Sequence, residues 1–304
     1  MPAPTVTSAE IFERYEEIRL RLPAAKFPHR SQFIDNLGAI TDKIDVFLLD
    51  AFGVLNVGEQ VIPGAVERLE MLADQGKQIF VLTNGATYNS NQAYQKYRKF
   101  GFSLKQRQVI SSRDEALLAL NDIPDHFTWG VAATDYSAIE ELPNRTRLLA
   151  DDPQAYDAVD GFLFLSSAQW TDKRQQLLTE ALQRHPRPFL VGNPDLVAPR
   201  EEGLTLEPGY FAHAIADETG IEPVFYGKPY AAVFERALRA VDLTGVDRSR
   251  IAMVGDTLHT DILGGAAAGL RTVLVTDHGL LKGMNASDLI QRSGIVPDFI
   301  AATT

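Results

Sequence analysis

The chain has 304 residues, 45% hydrophobic and 23% charged, the balance of an ordinary globular protein with room for more than one core. A net charge of −11 without any Lys/Arg block excludes nucleic acid or an anionic membrane as the main partner, and the absence of cysteine excludes disulfides, thiolate catalysis and zinc–thiolate sites. No apolar run approaches about 18 residues and the acidic N-terminus has no basic region ahead of an apolar one, so the sequence reads as cytoplasmic.

Ile11, Tyr15, Ile18 and Leu22 recur at helical spacing behind Ser8, predicting an amphipathic helix over residues 8–22 within a helical extension, residues 1–40. That arm packs on the core or on a second copy of the chain. Residues 45–50 read as a buried strand, Pro63-Gly64-Ala65 opens a helix that Gly76 stops, and residues 78–82 form another strand ending at Thr83-Asn84-Gly85. A second alternation follows: strand 128–133, helix 136–142, strand 161–165, helix 173–185, strand 188–192. Residues 230–241 then read as a helix, 251–254 as a strand, 264–268 as a short helix and 272–275 as a last strand.

Chemistry-bearing residues stop near 86 and resume near 224. The expected fold is therefore α/β: a Rossmann-like, doubly wound parallel sheet formed by residues 41–87 and 210–304, with an inserted α/β cap, residues 88–209.

The polar residues of the core fall at strand ends, where open α/β sheets bind ligands. Asp50 closes Val46-Phe47-Leu48-Leu49 ahead of a turn at Gly53, as a nucleophile at the mouth of a sheet would. The Thr83 hydroxyl and Asn84 amide suit phosphoryl oxygens, and Lys228, in Tyr226-Gly227-Lys228-Pro229, can neutralise both Asp50 and a transferring group. In Gly255-Asp256-Thr257-Leu258-His259-Thr260-Asp261, Asp256 at a strand tip suits a Mg²⁺ ligand, because hard cations take carboxylate oxygen. Asp261 is placed to orient metal-bound water or Lys228.

In this order the motifs resemble those of the haloacid dehalogenase superfamily. Val61-Ile62-Pro63-Gly64-Ala65, Gly192-Asn193-Pro194-Asp195, Pro208-Gly209 and Gly227-Lys228-Pro229 are similar to the class IIA subfamily of p-nitrophenyl phosphatase and NagD-like proteins, over roughly residues 44–280. The resemblance implies that Asp50 forms an aspartyl-phosphate and that Thr83 and Lys228 hold the phosphoryl group. It further implies Mg²⁺ on Asp50, the Phe52 backbone carbonyl and Asp256, with Asp261 in the same metal cluster. Gly53, Asn84, Gly85 and Arg200 are the expected substrate contacts, and a small phosphorylated metabolite is the expected substrate. The cap of such proteins often contributes to dimers, which makes a homodimer the expected assembly.

One part departs from the family. The acid/base aspartate two residues after the nucleophile is Phe52 here. A positioned acid/base contributes about 10² to 10⁴ in rate, roughly 3 to 5 kcal/mol, so its loss favours substrates with good leaving groups. His259 is the nearest candidate replacement, against a reading as an ordinary loop histidine. Two other functions fit a chain missing this group: carbon–halogen hydrolysis, in which the superfamily also places an aromatic residue two after the nucleophile, and a catalytically impaired binder of phosphorylated metabolites. Asp195 reads as part of an Asn-Pro-Asp turn, Arg200 as a partner of Glu201 or Glu202, Trp129 and Trp170 as packing, and His213 and His278 as structural.

Overall fold

A computed structural model describes residues 6–142 and 145–304. Its larger sheet has seven strands in the order Gln32–Ile34, Phe299–Ala301, Arg271–Val275, Ile251–Gly255, Val46–Leu49, Gln78–Thr83 and Val109–Ser111. Every neighbouring pair is parallel. Parallel strands are covered on both faces, which is why Val46–Leu49 and Ile251–Gly255 are apolar without interruption and wholly buried. Alternate side chains serve opposite layers. Phe47 and Leu49 join Val81, Val254, Leu69 and Leu72 on one face, whereas Val46 and Leu48 join Leu82, Met253, Val233 and Phe234 on the other.

The order of the strands also locates the site. From Val46–Leu49 the chain builds outward through Gln78–Thr83 to Val109–Ser111, and later returns on the opposite side with Ile251–Gly255. The reversal lies between the strands that precede Asp50 and Asp256, and a crevice opens outside the carboxyl ends of strands at such a point.

A second, five-stranded parallel sheet follows the order Val224–Phe225, Phe189–Val191, Gly161–Phe164, Thr128–Ala132, Arg145–Leu148. Helices Asp172–Arg184 and Pro208–Thr219 cover one face with Leu178, Leu182, Ala212 and Ile215, while Trp129, Val131 and Leu163 on the other meet Ala116 and Leu120 of helix Ser112–Leu120. Sheet membership departs from the 88–209 limits at both ends: Val109–Ser111 belongs to the larger sheet and Val224–Phe225 to the smaller. Each strand is too short, at three and two residues, for its own pattern to reveal its partner.

Other expectations need correction. The N-terminal helix is Ser8–Glu17, and its cap is Thr7, whose hydroxyl receives the Glu10 amide while the Glu10 carboxylate returns to the Thr7 N–H. Only a short 3₁₀ turn, Arg19–Arg21, follows it. The helix expected over 136–142 is a single turn, Ile139–Glu141. There the Thr134 N–H and hydroxyl bond the Ser137 hydroxyl and Ala138 turns left-handed at φ 48°, so side chain–backbone bonding replaces the first helical turn. Among the described residues no helix is long and apolar enough to cross a membrane.

Candidate active site

Asp50, Thr83 and Asp256 stand at the carboxyl ends of three adjacent strands, and Lys228 approaches from the loop before helix Ala231–Ala240. The Lys228 ammonium lies 2.6 Å from Asp50 Oδ1 and 2.7 Å from Asp261 Oδ1. Lysine and Asp261 are buried at 1% and 0% side-chain exposure, while Asp50 keeps 13%. Burial pulls the lysine pKa down, but the charges of Asp261, Asp50 and Asp195 outweigh it and hold the ammonium above the ordinary lysine range.

Backbone N–H groups and one hydroxyl hold the carboxylates of Asp261 and Asp256. Asp261 Oδ2 accepts the Thr257 N–H at 3.1 Å, and Asp256 accepts the Thr257 hydroxyl at 3.0 Å and the Leu280 N–H at 2.6 Å. Gly53, left-handed at φ 76°, and Gly279 let the backbone close on Asp256: a Cβ on either would come within 2.5 and 1.8 Å of that carboxylate. Asn84 fixes the lysine loop, its Oδ1 accepting the Lys228 N–H at 2.7 Å and its Nδ2 donating to the Lys228 carbonyl at 2.9 Å.

Asp50, Asp256 and Asp261 each offer an oxygen within 4.8 Å of the others. One ammonium cannot balance three such anions. Burial, partly offset by Lys228 and reinforced by Asp261, pushes Asp50 up to about 7, and burial with the charges of Asp261 and Asp50 pushes Asp256 up to about 8. An all-carboxylate donor set short of positive charge fits a hard divalent cation.

Beside this apex lies a cavity of about 320 Å³ whose walls include Phe52, Thr83, Gly85, Tyr97, Asp195 and Arg200. Thr83 and Gly85 thus line it, whereas the Asn84 side chain is spent on the lysine loop and Gly53 backs Asp256. The Phe52 ring stands between two cations, the Arg200 guanidinium at 4.6 Å and Lys96 Nζ at 5.3 Å from its centroid. Neither cation is unpaired: Arg200 bonds Glu207 at 3.1 Å, not Glu201 or Glu202, and Lys96 bonds Glu59 at 2.6 Å. His259 lies elsewhere, its ring stacked on Tyr15, edge-on to Phe12 and bonded to Glu16. The N-terminal helix therefore covers the one histidine expected as a replacement donor. Trp129 and Trp170 pack on Phe127 and Phe164, as expected.

Sequence reasoning placed neither Tyr97 nor Asp195 at the cavity, which both line; Asp195 does sit in the expected turn, its N–H donating to Asn193 Oδ1. Tyr97 comes from helix Ser90–Lys99, announced by the Asn89/Gln92 capping box, and its phenol bonds Thr83; burial and the Asp50 charge hold its pKa well above the ordinary tyrosine range.

Such a site on such a sheet defines an aspartate-centred α/β hydrolase. The sequence model of the haloacid dehalogenase-like hydrolases matches residues 47–141 and that of the HAD-hydrolase-like group matches 225–303, and the chain belongs to this family of enzymes. An acid sugar phosphatase of Staphylococcus aureus is 26% identical over 83% of this chain and 92% of its own length. A possible sugar phosphatase from Cytophaga hutchinsonii superimposes with a TM-score of 0.79 at 26% identity, covering 90% of this chain and 98% of that one. A 4-nitrophenylphosphatase from Thermotoga maritima, 24% identical, gives a TM-score of 0.69 over 87% and 96% of the two chains and shares the fold.

Proposed function

We propose that this protein is a Mg²⁺-dependent phosphohydrolase of small phosphorylated metabolites that works through an aspartyl-phosphate at Asp50. The observation that carries the reading is the single ammonium of Lys228 set 2.6 Å from Asp50 within a cluster of three carboxylates at the crevice of the sheet. The relatives named as phosphatases support it.

Asp50 attacks phosphorus, the bond to the leaving oxygen breaks, and water then attacks the same phosphorus to release inorganic phosphate and restore the carboxylate. Lys228 orients Asp50 and answers the charge of the phosphoryl group, while Thr83 offers its hydroxyl to a phosphoryl oxygen. Asp50, Asp256 and the Phe52 carbonyl would hold the metal, with Asp261 fixing Lys228 beside it. When bound, Mg²⁺ supplies the charge neutralisation that lets a phosphate dianion approach a carboxylate. Phe52 cannot protonate a leaving oxygen, so position 52 favours groups that depart as weak bases unless another wall of the cavity supplies the proton.

Steady-state hydrolysis of p-nitrophenyl phosphate and acetyl phosphate tests the reading. Turnover with Mg²⁺, its loss in EDTA, and a fall of at least about 10³-fold in Asp50→Asn are expected. Full activity in Asp50→Asn, or no turnover of either substrate, overturns it. Chloride release from 2-chloropropionate without metal would establish carbon–halogen hydrolysis in its place.

A further inference from the structure

The cavity holds a carboxyl group that the mechanism above leaves unused. Asp195 closes Gly192-Asn193-Pro194-Asp195 and lines the same cavity as Phe52 and Thr83. It is only partly covered, so the substrate chamber reaches it. Among the described residues no lysine, arginine or histidine forms an ion pair with it. Its one side-chain hydrogen bond comes from Asn84 Nδ2 to Oδ1, at 2.8 Å.

Its backbone is unusually well fixed for a turn. The Asp195 N–H donates to Asn193 Oδ1 at 2.9 Å, its carbonyl accepts the Gly209 N–H at 3.1 Å, and the next amide, Leu196 N–H, donates to the Tyr15 hydroxyl at 3.2 Å. Tyr15 is fully buried and stacks on His259 at 4.8 Å between ring centroids. The N-terminal helix thus braces the Asp195 loop against the segment that carries Asp261.

We propose that Asp195 is the proton donor and acceptor that Phe52 cannot be, held in place by Tyr15. The inference rests on the phosphohydrolase reading. As Asp50 attacks phosphorus and the P–O bond to the leaving group breaks, the Asp195 carboxylic acid passes its proton to the departing oxygen, releasing an alcohol. The resulting carboxylate takes a proton from the water that attacks the aspartyl-phosphate, inorganic phosphate leaves, and both acids return to their starting states. A carboxyl in a cleft without a paired cation stays protonated beyond the ordinary range, as a proton donor must. Burial, opposed by Lys228 and reinforced by the charges of Asp50 and Asp261, acts in that direction; the Tyr15 phenol is a further titratable neighbour, and Glu207, bonded to Asn193 of the same turn, and Tyr97 line the cavity with it. Tyr97 lines the cavity too, but burial and the Asp50 charge hold its phenol above the ordinary range, which makes it a poor proton donor to the departing oxygen in the first step.

Asp195→Asn keeps an oxygen for Asn84 and removes the proton. For p-nitrophenyl phosphate, whose leaving group needs no proton, kcat/KM should stay within about tenfold, while for an alkyl phosphate such as glycerol phosphate it falls about 10² to 10⁴-fold. The variant should release a burst of p-nitrophenol and accumulate phosphate on the chain, because water attack has lost its base. Equal loss of kcat/KM for both esters would mean a latch acting through Asn84 and overturns the proposal, as does an unchanged alkyl rate or the selective loss appearing in Tyr97→Phe. Should Asp195→Asn fail to fold, the wild-type pH profile decides: an alkaline fall in kcat/KM for the alkyl ester and none for the aryl ester is expected, and identical profiles refute it. Loss of turnover by the wild-type protein itself would count against the phosphohydrolase reading instead.

Discussion

The carboxylate apex and the outer cavity wall both carry charge, yet they are built differently. At the apex, Lys228 is 1% exposed and serves two carboxylates, one of them fully buried, and Asp256 is tied to backbone N–H and a neighbouring hydroxyl. On the wall, Lys96 and Arg200 flank Phe52 and each has a separate acidic partner, Glu59 at 70% and Glu207 at 12% side-chain exposure. A charge removed at the apex leaves uncompensated partners in a dry site. A charge removed from the wall leaves partners that water reaches more readily or that already favour protonation. The apex is therefore the place for invariant chemistry, and the wall is the place where selectivity can be tuned.

The largest expected effect breaks the apex. Lys228→Met would leave Asp50 and Asp261 without their shared cation, and removing one partner of a buried pair costs about 3 to 5 kcal/mol. Urea denaturation should register that loss together with loss of turnover. A stability change under about 1 kcal/mol would show that the apex tolerates charge removal as the wall does.

How far burial with nearby charge moves a titratable group can be read beside the smaller sheet, where His213 of helix Pro208–Thr219 is 1% exposed, stacks on Phe225 at 4.6 Å and leaves Nδ1 without a hydrogen-bond partner among the described residues. Burial first, then Arg21 and Arg14, lowers its pKa to about 3. The unfolded chain takes up a proton below about 6.5 that the folded chain refuses, so stability falls as pH drops from about 6.5 toward 3. By linkage the loss reaches about 2 kcal/mol at pH 5. His213→Phe keeps an aromatic ring and should flatten this part of the stability curve; an unchanged acid slope would show that the imidazole titrates normally in the fold.

These regions were unequally legible in the sequence. Asp50, Thr83 and Asp256 stand out because uninterrupted apolar strands end on them, and Lys228 because Gly227 and Pro229 flank it. Asp195 carries no such signal: Asn-Pro-Asp makes a turn in any protein, and only folding brings it to the cavity that holds Phe52 and Thr83. The role of Tyr15 was equally hidden, since helical spacing identifies a buried face without naming what covers it. The edge strand Gln32–Ile34 and its neighbour Phe299–Ala301, three residues each, were missed because the two strands that pair lie near opposite ends of the chain. Local pattern reports burial and chain direction, while long-range pairing decides which short segments share a sheet.

The smallest expected effect sharpens the contrast from the wall. Arg200 bonds Glu207 and covers one face of Phe52. In Arg200→Ala the Glu207 carboxyl, which burial already raises above the ordinary range against the opposing pull of Arg200, loses that pull and becomes still easier to protonate. The wall then keeps its apolar ring but loses a cation worth about 1 kcal/mol to a bound anion or π-face. KM for p-nitrophenyl phosphate should rise about fivefold with kcat nearly unchanged, the pattern of an interaction made equally in ground and transition states. A fall in kcat at constant KM would instead place Arg200 on the reacting phosphoryl group, and the division between a reactive apex and a tunable wall would then fail at the residue that stacks on Phe52.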